Sequence, residues 1–242
     1  MMREAKRLAM LMLAILVTAC GSTEGSHPDL QSLYQSGSTA EFQPPVIVVP
    51  GILGSRLRER STHREVWPGS AWNLLLGDTM PLALRIDPKT LEPLDDGVEA
   101  DGLFEGVLGH DFYGQIIRTL EQYGAYRPGM PGTHQDGRQR RYYVFAYDWR
   151  QDNVASARKL DALIEQIRRD YGNPQLKVDV IAHSMGGLIV RYFLRYGTRD
   201  VLDGDDFPVN LDGAAKLHTV VLLGTPNLGS VSSLHGFLEG AK

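Results

Sequence analysis

The sequence predicts an α/β protein in which helices flank a mainly parallel sheet. Three apolar runs rich in β-branched residues, at 45–49, 178–182 and 217–223, are typical of strands buried on both faces. An aromatic run at 141–147 is also strand-prone. Strands that alternate with helical segments in this order favour parallel pairing. The clearest helix has its apolar residues at i, i+3, i+4, i+7 and i+11, which are Leu160, Leu163, Ile164, Ile167 and Tyr171.

The composition is that of a globular protein with a sizeable core. The chain has 242 residues, of which 43% are hydrophobic and 22% are charged. A formal net charge of −4, without a basic stripe interleaved with aromatic residues, argues against a nucleic-acid partner. Because Cys20 is the only cysteine, no internal disulfide or cysteine-based zinc site is possible. No metal or organic cofactor is expected.

The first twenty residues resemble a bacterial lipoprotein signal. A basic start is followed by an apolar run too short to span a bilayer, and small residues precede Cys20. We predict a signal peptide at 1–19, lipid on the Cys20 sulfur, a flexible tether at 20–43 and the folded domain at 44–242. The alternative is a plain secretory signal with a chance cysteine. A lipid-anchored protein of the bacterial cell envelope is expected. The outer membrane is favoured because no inner-membrane retention signal follows the cysteine.

Residues 178–187 are typical of a nucleophile elbow, a sharp strand-to-helix turn that exposes a serine above the sheet. Ser184 is the candidate nucleophile, with the small residues Ala182 and Gly186 two positions to either side. The amide of Met185 is predicted to form one half of an oxyanion hole. His183 is expected to be a passive neighbour, because adjacent side chains of an elbow point apart. The alternative is a buried Ser-Gly turn without catalytic function.

The segment 45–55 is predicted to supply the second half of that oxyanion hole. A buried strand ends in a Pro-Gly turn, and its glycines allow backbone amides to approach a ligand closely. The amide of Ile52 is the candidate donor. An ordinary Pro-Gly turn after a strand is the other interpretation.

The stretch between 56 and 109 has weak periodicity. An apolar cluster at 66–76 contains two of the three tryptophans, so both a lid within 60–109 and a small satellite core are possible interpretations of this stretch.

A helix is predicted from Asp111, its N-cap, to a stop at Gly124. The aspartates at 200–212 lack the spacing of a calcium loop and predict a solvated acidic loop.

Four segments together resemble the lecithin:cholesterol acyltransferase-like family, which includes phospholipid:diacylglycerol acyltransferases and the lysosomal phospholipase A2. They are the Val-Val-Pro-Gly-Ile-Leu-Gly-Ser turn at 48–55, Tyr-Asp-Trp-Arg at 147–150, the elbow, and Gly-Thr-Pro at 224–226. The resemblance covers about 44–230. It implies an α/β-hydrolase fold in which Ser184 forms an acyl-enzyme from a lipid ester, with Ile52 and Met185 as oxyanion donors. A glycerolipid or other lipid ester is the implied substrate, and the acceptor, alcohol or water, stays open.

The resemblance also places Asp148 and Arg150 on the family's fingerprint, where we expect a partly buried ion pair. The α/β-hydrolase triad places the acid and the histidine after the nucleophile in the chain. No aspartate follows Asp212, and His235 comes only a dozen residues after the last predicted strand. Either the C-terminal strands, acid and histidine belong to a longer enzyme, which we favour, or the protein is a non-catalytic lipid- or partner-binding lipoprotein.

Overall fold

The computed structural model of the chain divides into two units, residues 1–38 and 39–242. The elements named below belong to the second unit. The predicted signal peptide and Cys20 lie outside the described residues, and the predicted domain boundaries stay predictions. No helix in the part of the chain that is described is long and apolar enough to cross a membrane. The structure describes residues 29–32, 42–69, 82–90, 92–104, 106–107, 110–111, 113–233 and 235.

The predicted α/β class is confirmed by a five-stranded, wholly parallel sheet in the order β10-β9-β1-β8-β7. A three-stranded antiparallel sheet, β3-β2-β4, and a two-stranded one, β5-β6, accompany it. The described residues also contain a π-helical turn, Thr119–Tyr123, and 3-10 turns at Val201–Asp203 and Ala214–Lys216. The strands and helices in chain order are β1 Val46–Val49, β2 Ser55–Glu59, β3 Glu65–Trp67, β4 Val98–Leu103, β5 Gly106–Val107, β6 His110–Asp111, α1 Gly114–Arg118, β7 Arg127–Pro128, β8 Arg141–Val144, α2 Asn153–Asp170, β9 Val178–His183, α3 Met185–Tyr196 and β10 Leu217–Leu223.

Strand β1 lies at the centre of the parallel sheet and is buried along its whole length. Its β-branched side chains alternate between two apolar clusters, as the pleat of a strand requires. Ile47 and Val49 face the larger cluster, to which α2 and α3 contribute, and Val46 and Val48 face a smaller one beside the π-turn. The predicted helix before residue 172 is confirmed as α2. Its fully buried residues are Ala157, Leu160, Ile164 and Ile167.

Strand β10 is less buried than its sequence predicts. Leu217, Val220 and Leu222 belong to the larger cluster, but Val221 and Leu223 are exposed. The strand forms one edge of the sheet, and none of the described elements packs over the outer side of Val221 and Leu223. An apolar run therefore indicated a strand correctly without indicating how many of its faces are covered.

The helix predicted from Asp111 to Gly124 begins later than expected. Tyr113 is the N-cap of α1, and the chain continues through the π-turn to a C-cap at Gly124. Asp111 still provides an acceptor for an otherwise unpaired amide at the start of α1, because its Oδ1 accepts a hydrogen bond from the Gly114 amide at 2.5 Å.

The antiparallel sheet β3-β2-β4 was not predicted. Its strands are short, and β2 shifts register against both neighbours, which disrupts the alternation that reveals a strand in a sequence. Trp67 packs against Trp149 at 5.8 Å and Phe104 at 5.9 Å between ring centroids. Trp67 thus joins a small aromatic cluster, whereas residues 70–81 of the predicted lid lie outside the described part.

A buried ion triad connects this antiparallel sheet to the main sheet, and it includes the predicted Asp148–Arg150 pair. Arg150 has 3% of its side chain exposed and bonds Asp148 at 2.7 Å and Asp96 at 2.8 Å. Burial alone would lower the pKa of Arg150, but the hydrogen bonds that Arg150 donates to the two carboxylates raise it above its ordinary value. Asp96, just before β4, is the member that the sequence did not reveal.

Removal of the Arg150 charge is expected to destabilise the fold strongly. Arg150→Met leaves two carboxylates desolvated without a cation, which costs about 3–5 kcal/mol. Arg64→Met is the matched control, because Arg64 is 74% exposed and its contact with Glu59 is 3.6 Å. The control should change the free energy of unfolding by no more than about 0.5 kcal/mol. Urea unfolding measures both, and equal stabilities of the two variants would contradict the triad's role.

Candidate active site

Ser184 lies at the turn between β9 and α3 with φ 50° and ψ −123°. A positive φ is unusual for a residue with a side chain and costs about 1–3 kcal/mol. Two backbone hydrogen bonds hold the turn: the Ser184 amide donates to Leu223 O at 2.9 Å, and the Gly187 amide donates to Ser184 O at 3.0 Å. The backbone is therefore that of the predicted elbow.

The neighbours of Ser184 are small because the chain after β1 presses against the elbow. A Cβ on Gly51 would lie 2.8 Å from Ser184 Cβ, closer than real Cβ contacts allow. A Cβ on Gly186 would lie 2.9 Å from Val49 O and would clash with Pro50 O. The predicted requirement for a small residue at Gly186 is thus confirmed, and the β1 turn is in contact with Ser184.

The turn after β1 is held in place by side chains from distant segments. Tyr147 Oη donates to Pro50 O at 2.9 Å, and Trp67 Nε1 donates to Leu53 O at 2.8 Å. Within the turn, the Gly54 amide donates to Gly51 O at 3.0 Å. The carbonyls of Pro50, Gly51 and Leu53 therefore have fixed partners.

Two amides of the same turn are unused. Among the described residues, the N–H groups of Ile52 and Leu53 have no acceptor. Leu53 has φ 62°, so the second strained residue of the site is in this turn. The Met185 amide is the first of α3, where helix geometry provides no intrahelical acceptor. Ile52 and Met185 are thus free to donate to a ligand, and their oxyanion role stays a prediction.

His183 has a specific partner in Tyr113. Its Nδ1 lies 3.0 Å from Tyr113 Oη, and the two rings meet edge to face at 5.7 Å. Burial lowers the pKa of His183. Tyr113, which is 4% exposed, also accepts the Gly51 amide at 2.9 Å. Sequence reasoning missed Tyr113, because no local pattern links it to a turn 62 residues away.

The Ser184 hydroxyl has no hydrogen-bond partner among the described residues. A histidine–carboxylate pair does exist, in which His218 Nδ1 lies 2.8 Å from Asp179 Oδ1. Asp179 precedes Ser184 by five positions along an extended strand, which places the two about 16 Å apart. That pair is therefore too distant to activate Ser184.

Residues 135–242 match the family model for lecithin:cholesterol acyltransferase. This part of the chain is therefore similar to that family. The resemblance inferred from the sequence is confirmed, and the match includes Ser184 and Met185 but not Ile52. At the level of the family, the match supports lipid-ester acyl transfer or hydrolysis.

Two individual proteins are also similar. An uncharacterized protein of Saccharomyces cerevisiae, YJR098C, is 27% identical over 157 residues, which are 64% of this chain and 21% of that protein. The chain thus spans about a fifth of the length of this relative. The crystal structure of the Tle4-Tli4 complex contains a chain with a TM-score of 0.44 and 20% identity, over 82% of this chain and 48% of that one.

The lowered pKa of His183 predicts a pH-dependent stability. In the unfolded chain His183 binds a proton as the pH falls through about 6.5, whereas the folded protein resists protonation at this site. The free energy of unfolding should therefore decrease from about pH 7 towards the folded-state pKa of His183. His183→Asn should reduce this decrease, measured by urea unfolding between pH 7 and 5. An unchanged pH dependence in the variant would contradict the prediction.

Proposed function

We propose that the protein cleaves a lipid ester through an acyl-enzyme on Ser184 and passes the acyl group to an alcohol or to water. Ser184 Oγ bonds the carbonyl carbon, and the carbonyl oxygen becomes an oxyanion between the Ile52 and Met185 amides. The bond from the carbonyl carbon to the ester's alcohol oxygen then breaks, and the alcohol departs with the proton that Ser184 Oγ gave up. In the second half, the acceptor oxygen bonds the acyl carbon and loses its proton, the bond from that carbon to Ser184 Oγ breaks, and Ser184 Oγ regains a proton.

The observation that carries this proposal is the strained elbow with an amide-bearing turn packed against it. Strained backbone persists where surrounding contacts enforce it and is concentrated at functional sites. Ser184 and Leu53 are both strained, and they lie on the two loops that meet at Gly51. An ordinary buried turn would require neither the strain nor the unused amides.

Exposed apolar side chains near the elbow support a lipid substrate. Ile52 and Leu53 are exposed on the turn after β1, and Leu228 and Val231 follow β10. Both turns leave the carboxyl ends of parallel strands, so they belong to the same edge of the sheet as Ser184. An apolar rim of this kind suits an acyl chain better than a charged or sugar-like substrate.

The reaction needs a general base, and none of the described side chains bonds the Ser184 hydroxyl. We propose that residues other than the described ones supply the histidine and its acid. A serine without its base loses about 10⁴-fold or more of its rate. Tests of the reaction therefore require the protein as its natural gene encodes it.

A fluorophosphonate probe tests the nucleophile. In the natural gene product, labelling should be lost in Ser184→Ala, because the probe reacts only with an activated serine hydroxyl. Ser233→Ala, which changes an exposed serine, should label like the wild type. Hydrolysis of a labelled glycerolipid should fall about 10⁴-fold in Ser184→Ala alone. Equal labelling of Ser184→Ala and wild type would refute the assignment.

The same labelled lipid separates transfer from hydrolysis. A labelled ester of an added lipid alcohol is the product of an acyltransferase. Free fatty acid as the sole product, even at high alcohol concentration, would identify a hydrolase.

The second candidate is a non-catalytic lipid- or partner-binding envelope lipoprotein with a degenerate hydrolase fold. It is favoured by the Ser184 hydroxyl, which has no hydrogen-bond partner in the part of the chain that the structure describes. An unlabelled wild-type protein that still binds lipid vesicles would support this candidate over the enzyme.

We further propose that lipid on Cys20 anchors the protein in the bacterial cell envelope, with the outer membrane favoured. In the natural host, Cys20→Ser should prevent incorporation of radiolabelled palmitate and release the protein from the membrane fraction, because multiple acyl chains provide the anchoring. Cys20→Ser protein that stays in the membrane fraction with unchanged palmitate would contradict the anchor. Palmitate loss without release would indicate a second membrane contact.

A further inference from the structure

The Tyr113 hydroxyl connects three separate segments behind the candidate oxyanion hole. It accepts the Gly51 amide at 2.9 Å and lies 3.0 Å from His183 Nδ1, although these residues are 62 and 70 positions away in the chain. It is seated tightly, because a Cβ on Gly54 would lie 2.5 Å from the Tyr113 oxygen. The hydroxyl is thus enclosed between the turn after β1 and the strand that leads to Ser184.

The donors and acceptors around Tyr113 determine where its hydroxyl proton lies. The Gly51 N–H occupies one lone pair of the Tyr113 oxygen, which leaves its single O–H free to donate. The remaining neighbour within hydrogen-bond distance is His183 Nδ1, which accepts when the imidazole is neutral and carries its proton on Nε2. Burial favours this neutral form, since it lowers the pKa of His183. Each group then has a partner of the correct type.

Gly51 needs hydrogen bonds from outside the turn to fix it, because glycine has more backbone freedom than any other residue. Its carbonyl is held by the Gly54 amide at 3.0 Å, and its N–H is held by Tyr113. The peptide bond from Gly51 to Ile52 is planar and trans, so the Ile52 N–H points opposite to the Gly51 carbonyl. Fixing both polar groups of Gly51 therefore fixes the direction of the Ile52 amide.

We propose that Tyr113 is a positioning residue that aims the Ile52 amide at the oxyanion, with His183 orienting the Tyr113 hydroxyl. This inference rests on the proposed function of Ser184. Tyr113 does not touch the reacting atoms, and it acts through the Gly51 backbone. His183 thereby gains a role that the sequence did not predict.

Tyr113→Phe tests the proposal, because it removes the hydroxyl and keeps the ring that packs on His183. In the natural gene product, kcat for the lipid ester should fall about 10- to 100-fold, the range expected when a catalytic group is misplaced by about 1 Å. KM should change less than about threefold, since a weakened oxyanion contact acts in the transition state. Tyr142→Phe is the matched control. It removes a hydroxyl that bonds Glu121 at 2.9 Å on the same side of the sheet, and it should leave kcat unchanged.

His183 provides a second, independent variant. His183→Asn places an amide oxygen near the position of Nδ1 and can still accept from Tyr113, whereas His183→Leu cannot. The Asn variant should retain at least about tenfold more activity than the Leu variant. Equal loss in both would mean that His183 acts by packing alone, and the orienting role would be wrong.

Amide hydrogen exchange separates this inference from the proposed function. In Tyr113→Phe the Gly51 amide, followed by ¹⁵N-glycine NMR, should exchange at least about tenfold faster than in the wild type or Tyr142→Phe, because it loses its acceptor. An unreactive wild-type protein with this faster exchange would refute the function and leave Tyr113 as the residue that fixes the turn. A reactive protein in which Tyr113→Phe changes neither exchange nor kcat would overturn the inference and leave the function intact.

Discussion

The structure depends on one close backbone approach, in which the turn after β1 lies against the elbow after β9. The two strands are neighbours in a parallel sheet, so their carboxyl ends meet at the same edge. At this edge neither Gly51 nor Gly186 has room for a Cβ. The approach places the turn that carries the Ile52 amide against Ser184, the residue before the first amide of α3. We propose that the serine and the amides of these two loops form a single site.

This approach is stabilised from outside the parallel sheet. Tyr147 follows β8, Trp67 ends β3 and Tyr113 precedes α1, and each donates to or accepts from the turn between 50 and 55. The antiparallel sheet therefore contributes to the site even though it supplies none of the proposed reacting groups. The Asp96–Arg150–Asp148 triad strengthens the same connection, since Asp96 belongs to the antiparallel side and the other two follow β8.

Local patterns in the sequence were sufficient for the strands β1 and β9, for α2 and for the elbow. In each case the signal is contained in a few consecutive residues, such as the β-branched run before Pro50 or the helical spacing of α2. The resemblance to a known family indicated which segments of the chain belong to the expected site. That resemblance is confirmed over 135–242. The roles of Ser184, Ile52 and Met185 stay predictions.

What the sequence did not reveal depends on contacts between distant residues. Tyr113 meets Gly51 and His183 across 62 and 70 positions, and Asp96 meets Arg150 across 54. Short strands with shifted register gave no periodic signal in β2, β3 and β4. The exposure of Val221 depends on what covers the sheet edge, which an apolar run does not encode.

The most direct test is a crystal structure of the natural protein after reaction with an alkyl phosphonate, whose tetrahedral phosphorus mimics the intermediate. We expect phosphorus bonded to Ser184 Oγ and one phosphoryl oxygen about 2.7–3.1 Å from the amide nitrogens of both Ile52 and Met185. An adduct on another residue, or a phosphoryl oxygen directed away from these two amides, would contradict the account.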